Sequence, residues 1–203
     1  PPVQVLADPA AVAAVVATLR AAGSCTIHVE GAGAPPEVPN DLLRQRPCGL
    51  ALVGDDGATA WLPLRHRRWE PPQGELPGLG GGTSSTGPGG ASLAARALAT
   101  GAAEVENLPP LDAPPMQELH ALLESPEVQK RGHILKAALL LLRQEGITLR
   151  GLAFDTMLAS YVLDPGRRAH TLDVLALEFL DRPLPSVEDL RGKGKQEIPF
   201  EEV

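Results

Sequence analysis

The chain has 203 residues and a formal net charge of −7, so it lacks the global basic field that draws a whole protein to nucleic acid, although a local basic groove is compatible with that total. Its hydrophobic share of 43% suffices for a core, but aromatics supply only 3%, and Ala, Leu and Val carry most of the apolar volume. Cys25 and Cys48 are the only cysteines, and no apolar run approaches membrane length or resembles a signal peptide. The expectation is a cytoplasmic protein with reduced thiols and no membrane partner.

The first predicted element opens at Asp8-Pro9, with Asp at the N-cap and Pro at the first helical position, where its missing N–H is harmless. Val12, Val15, Val16 and Leu19 form the apolar stripe of this helix, and Gly23 is placed to close it. Cys25–Glu30 is a β-rich run. Gly49–Val53 and Ala58–Leu64 follow as two strands, and Gly54-Asp55-Asp56-Gly57 between them is hairpin chemistry, because Asp and Gly tolerate positive φ.

From about residue 70 to 115 the composition changes. Nine of the chain's 21 Gly and eight of its 21 Pro fall here, and Gly80–Gly90 has too little apolar surface to order itself, so this segment reads as a flexible Gly/Pro-rich insertion. Ser92–Thr100 is a short helix candidate within it.

Met116–Glu124 is amphipathic through Leu119, Leu122 and Leu123, whereas Leu135–Glu145 is apolar nearly all round and is expected in the core, with Gly146 as its stop. Leu152-Ala153-Phe154 reads as a buried strand end. Asp155 is then the N-cap of a helix whose Met157, Leu158, Tyr161 and Val162 are expected to press on the sheet. A last helix starts near Thr171, and Gly192-Lys193-Gly194-Lys195 is a basic loop without phosphate-loop spacing. Strands followed by helices that alternate with a strand imply an α/β domain with a mixed sheet. Pro1 and the closing Phe200–Val203 suggest a piece of a longer chain.

Several polar residues invite a chemical reading and also have a structural one. Cys25 and His28 form a Cys-x-x-His pair, but zinc needs two more ligands, and Cys48 and His66 stand at no standard spacing. His28 is better read as a partly exposed strand residue, and Glu30 as a solvated carboxylate at a strand end. Asp173 lies in a first helical turn, where the dipole favours it, and Asp164 and Asp181 lie at helix exits. Arg65, Arg67 and Arg68, with His66 and Trp69, form a basic-aromatic cluster able to contact DNA phosphates and stack a base, and a solvated turn accounts for it equally well.

Gly151–Tyr161 (Gly-Leu-Ala-Phe-Asp-Thr-Met-Leu-Ala-Ser-Tyr) resembles the matching segment of the 3′–5′ exonuclease domain of bacterial DNA polymerase I, the family A polymerases. The likeness continues through His170–Ala176 and Gly192–Lys195, and Ala60–His66 resembles the family's third strand and following turn. It implies a ribonuclease H-like 3′–5′ exonuclease fold over residues 1–203, outside the insertion, within a longer polymerase chain. It also implies DNA and the rest of that chain as partners, with Mg²⁺ serving the parent polymerase.

The family's exonuclease holds two metal ions with four carboxylates, because two nearby divalent cations repel and need several anionic oxygens. Those carboxylates come from an Asp-x-Glu strand, an Asn-x-x-x-Asp helix and a late Tyr-x-x-x-Asp. Here His28 stands at the strand Asp and Glu30 is kept, while Ile134 and Ala138 stand at the helix Asn and Asp. The late motif is expected beyond Val203. The resemblance therefore implies a degenerate domain with no catalytic, metal or cofactor residues of its own. The alternative is an active nuclease with ligands recruited elsewhere, such as His28, Glu30 and a downstream Asp.

Overall fold

The computed structural model describes residues 2–33, 41–67, 106–192, 198 and 200–202. The candidate helix at Ser92–Thr100, Arg68 and Lys193–Lys195 lie outside these residues.

The elements run β1 (Val3–Val5), α1 (Pro9–Ala22), β2 (Ser24–Ala32), β3 (Arg46–Val53), β4 (Thr59–Pro63), α2 (Gln117–Glu124), β5 (Gln129–Gly132), α3 (Leu135–Gln144), β6 (Leu152–Asp155), α4 (Thr156–Leu163), α5 (Leu172–Leu180) and α6 (Val187–Arg191). One sheet joins the strands in the order β1-β4-β3-β2-β5-β6. β2, β3 and β4 pair antiparallel, while β1–β4, β2–β5 and β5–β6 pair parallel. The sheet is mixed and helix-flanked, as expected of the α/β class.

The caps form where the residues allow them. The Asp8 carboxylate accepts from Ala10 N, and Gly23 ends α1 at φ 72°. The Gly54–Gly57 linker closes the β3–β4 hairpin, with Gly57 at φ 82° and Asp56 accepting from Ala58 N at 2.9 Å. β2 alternates cleanly. Cys25, Ile27 and Val29 are buried, while His28 is exposed on the other face. Val12, Val16 and Leu19 of α1, Leu119, Leu122 and Leu123 of α2 and Leu135, Ala138, Leu141 and Leu142 of α3 complete one core with β2–β4.

Two strands have no pattern to betray them. β1 is three residues long with exposed side chains, and β5 reads Gln-Lys-Arg-Gly, the reverse of strand propensity. β5 is nevertheless interior, and Lys130 is fully buried. Its ammonium donates to Ser125 O at 2.5 Å, where α2 ends, while desolvation pushes its pKa below the usual lysine value.

Three expectations are corrected. The insertion does not extend to residue 115, because residues 106–115 rejoin the body. There Leu108 and Leu111 are buried, Leu108 N donates to Pro63 O, and Asn107 exchanges two hydrogen bonds with the His66 backbone at 2.7 Å each. The Leu152–Phe154 strand end is exposed, with Phe154 51% accessible, because β6 is the sheet edge and pairs only with β5. α4 likewise buries Ser160 instead of its apolar stripe, leaving Leu158, Tyr161 and Val162 exposed.

Candidate functional site

The two elements that carry the motif positions, β2 and α3, pack against each other. On β2, His28 Nε2 lies 3.0 Å from Glu30 Oε2, as i and i+2 on a strand place both side chains on one face. Glu30 is thus more than a solvated carboxylate, because it has an imidazole at hydrogen-bond distance. Cys25, three residues from His28, is on the opposite face and fully buried, so the pair does not converge on an ion. Burial pushes the Cys25 thiol up, and desolvation followed by the charges of Glu30 and Glu201 pushes Cys48 up to about 12.

On α3, Ala138 is 3% exposed and offers a methyl group to the core, not a donor. Ile134 is the N-cap at φ 58°, ψ 49°, a left-handed conformation that a β-branched residue adopts only under strain. Asn tolerates that conformation far better. Next to it, His133 Nδ1 lies 2.8 Å from Thr156 Oγ1, and burial lowers the pKa of the ring.

Asp155 holds this corner together. Its carboxylate accepts from Met157 N at 2.9 Å and Leu158 N at 3.4 Å, capping α4, and also from Ile134 N at 3.2 Å and Leu135 N at 2.7 Å, capping α3. The α4 cap was legible in the sequence. The α3 cap joins residues 20 positions apart and carried no local signal. It supplies the anion that Ile134 cannot.

The basic cluster lies just past Glu30, at the same C-terminal end of β2. Arg65 bonds Glu145 at 2.9 Å, Arg46 approaches the same carboxylate at 3.6 Å, and Arg67 bridges Glu201 at 3.3 Å and Glu202 at 2.8 Å. Ala32, Gly33 and these arginines line a cleft of about 200 Å³ with Cys48 and Glu201. His66 is not part of the exposed cluster. It is buried, its ring edge to Trp61 at 5.9 Å, and desolvation holds its pKa below the usual value.

The donor set does not suit two hard cations. Of the four motif positions, Glu30 alone bears a carboxylate, and His28 stands against it. Asp155 is committed to four backbone N–H groups, and among the described residues no group of three or more His, Cys, Asp or Glu is arranged to hold a metal.

Residues 109–203 match the family model described as DNA polymerase I, ribonuclease H-like domain. DNA polymerase I of Pseudomonas aeruginosa is 39% identical over 90 residues, covering 43% of this chain and 10% of that protein. That of Rhizobium leguminosarum is 44% identical over 97 residues, covering 47% and 9%. That of Chloroflexus aurantiacus is 28% identical across 100% of this chain, which spans 17% of it. The chain thus spans only 9–17% of the length of these relatives. Among solved structures, the polymerase domain of Pol1 from M. smegmatis in complex with DNA primer-template and dNTP superposes with a TM-score of 0.58 at 23% identity, over 93% of this chain and 24% of that one. The catalytic core of RRP6 from Trypanosoma brucei gives 0.54 at 13%, over 97% and 41%. At such identities these structures show the fold alone, and it is the ribonuclease H-like α/β fold.

Asp155→Ala removes two helix caps at once and is expected to lower stability by roughly 1–2 kcal/mol per helix, measured by urea denaturation. Ile134→Asn relieves the left-handed strain and is expected to raise stability by about 1 kcal/mol in the same assay. His66 titrates lower in the folded chain than when unfolded, so the unfolded state binds more protons as pH falls below the ordinary histidine value of 6.5. Stability is therefore expected to fall from pH 6.5 downward, and His66→Phe is expected to flatten part of that slope.

Proposed function

Because the chain belongs to the ribonuclease H-like 3′–5′ exonuclease domain family of bacterial DNA polymerase I, we propose that it is a degenerate member which keeps the scaffold and lacks the metal-dependent nuclease. One observation carries this reading: at the two visible motifs only Glu30 supplies an anionic oxygen, and it stands 3.0 Å from His28 Nε2. Phosphodiester hydrolysis by the two-metal route needs both cations clamped on the attacking and leaving oxygens, and one carboxylate cannot hold them against their mutual repulsion.

In this reading the domain is a structural spacer in a DNA-directed DNA polymerase that acts in replication and repair. Mg²⁺ serves the polymerase part, and DNA is held by that part. Arg65 and Arg67 remain the candidate phosphate contacts of this domain. Their pairing with Glu145, Glu201 and Glu202 means a strand must compete with carboxylates already in place, so their contribution to DNA binding is weak. The alternative, an active nuclease with recruited ligands, requires at least a third ligand, and an anionic one, beside His28 and Glu30, and among the described residues no group of three or more His, Cys, Asp or Glu is arranged to hold a metal.

A 3′-labelled single strand incubated with Mg²⁺ or Mn²⁺ tests the reading. The expected result is no degradation above a chelator control, with Glu30→Gln indistinguishable from the parent sequence. Metal-dependent degradation abolished by Glu30→Gln would contradict it.

A further inference from the structure

At the end of the sheet away from Glu30, a cavity of about 390 Å³ with mostly apolar walls lies between α1 and the β3–β4 hairpin. Small residues leave it open: Ala22 on α1, and Gly54, Ala58 and Ala60 at and beside the turn, stand where bulkier side chains would fill the space. A Cβ on Gly54 would come 2.6 Å from Asp56 Oδ1 and 3.5 Å from Leu19 Cδ2, so this glycine holds a carboxylate and an apolar wall close together. Concave, largely apolar cavities with a few placed polar groups are the usual form of small-molecule sites.

The electrostatics of the cavity are one-sided. Its lining includes no Lys or Arg. Asp55 on the rim is already engaged, by Ser24 Oγ at 2.5 Å and by Arg131 at 2.9 Å. Asp56 accepts from the Ala58 N–H at 2.9 Å and forms no ion pair among the described residues. α1 also ends here: Ala22 is its last residue and lines the cavity, and the carbonyl end of a helix carries partial negative charge. Arg20, the basic residue of that last turn, is drawn away to the Glu118 carboxylate at 3.2 Å.

We propose that this cavity binds a small organic cation, an ammonium or amidinium head on an apolar body. The head sits between the Asp56 carboxylate and the carbonyl end of α1, and the body lies along Val15, Leu19 and Ala60. A neutral molecule of the same shape gains the apolar contact alone, and an anion meets repulsion. Glu30 and the arginine cleft lie at the opposite end of β2, so the site is independent of whether the domain cuts DNA.

Benzamidinium, benzamide and benzoate share one shape and are positive, neutral and negative at neutral pH. Each is titrated into the isotope-labelled chain while the amide signals of Gly23, Gly54, Gly57 and Ala58 are followed by NMR. Saturable shifts are expected for benzamidinium in the millimolar range or tighter, and none for benzoate. Benzamide is expected to bind roughly fivefold more weakly, the worth of one charge pair about 4 Å apart in water. Asp56→Asn keeps an acceptor for the Ala58 N–H, and Ala22→Leu fills the cavity from an exposed helix end. Each is expected to weaken benzamidinium by roughly the same factor with Tm unchanged. Absence of saturable benzamidinium shifts into the tens of millimolar would overturn the proposal, as would benzamide binding equally well. Affinity indifferent to Asp56→Asn, or shifts confined to the surroundings of His28 and Glu30, would overturn it too. Should Ala22→Leu unfold the chain, Asp56→Asn decides alone.

Discussion

The carboxylate of Asp155 is the joint on which the nuclease-like corner depends. It ends β6, caps α4 through Met157 and Leu158, and reaches across to cap α3 through Ile134 and Leu135. One anion thereby fixes two helix starts at the ends of neighbouring strands, β5 and β6. α3 lies against β2, so the joint also sets how the two motif-bearing elements face each other. It sustains a strained Ile134 at φ 58°, which would otherwise favour a different entry into α3.

That division between scaffold and chemistry runs through the molecule. The caps, hairpin and buried faces that make a ribonuclease H-like sheet are present and satisfied. At the positions that the resemblance assigns to the motifs, an imidazole and a carboxylate pair with each other on β2, and Ala138 turns its methyl group to the core on α3. Ala138 is compatible with the intact fold, since a small apolar side chain suits a helix face turned to the core. The neighbouring arginines are similarly self-contained, each with a carboxylate at hand.

The sequence is legible where the physics is local. Asp8-Pro9, Gly23, the Gly54–Gly57 turn and the leucine stripe of α2 each specify their element within one or two turns of chain. β5 escaped because Lys130 has strand geometry imposed by its neighbours, with its charge placed on the carbonyl end of α2. The Asp155 bridge escaped because it joins residues 20 apart, a separation no periodicity records. The exposure of Leu158, Tyr161 and Val162 escaped for the opposite reason: an apolar stripe says that a face is to be covered, not by what. At the site itself, the identities of His28, Ile134 and Ala138 were legible at once, while the engagement of Glu30 by His28 needed coordinates.

On the proposed reading the fold retains the place of the two-metal site without the means to hold it. Calorimetric titration of the chain with Mn²⁺ at neutral pH tests this most directly, because it asks about the ions and not about turnover. No saturable binding is expected below the millimolar range, and the heats are expected to be unchanged by Glu30→Gln. Two saturable sites in the micromolar range, lost on Glu30→Gln, would contradict it.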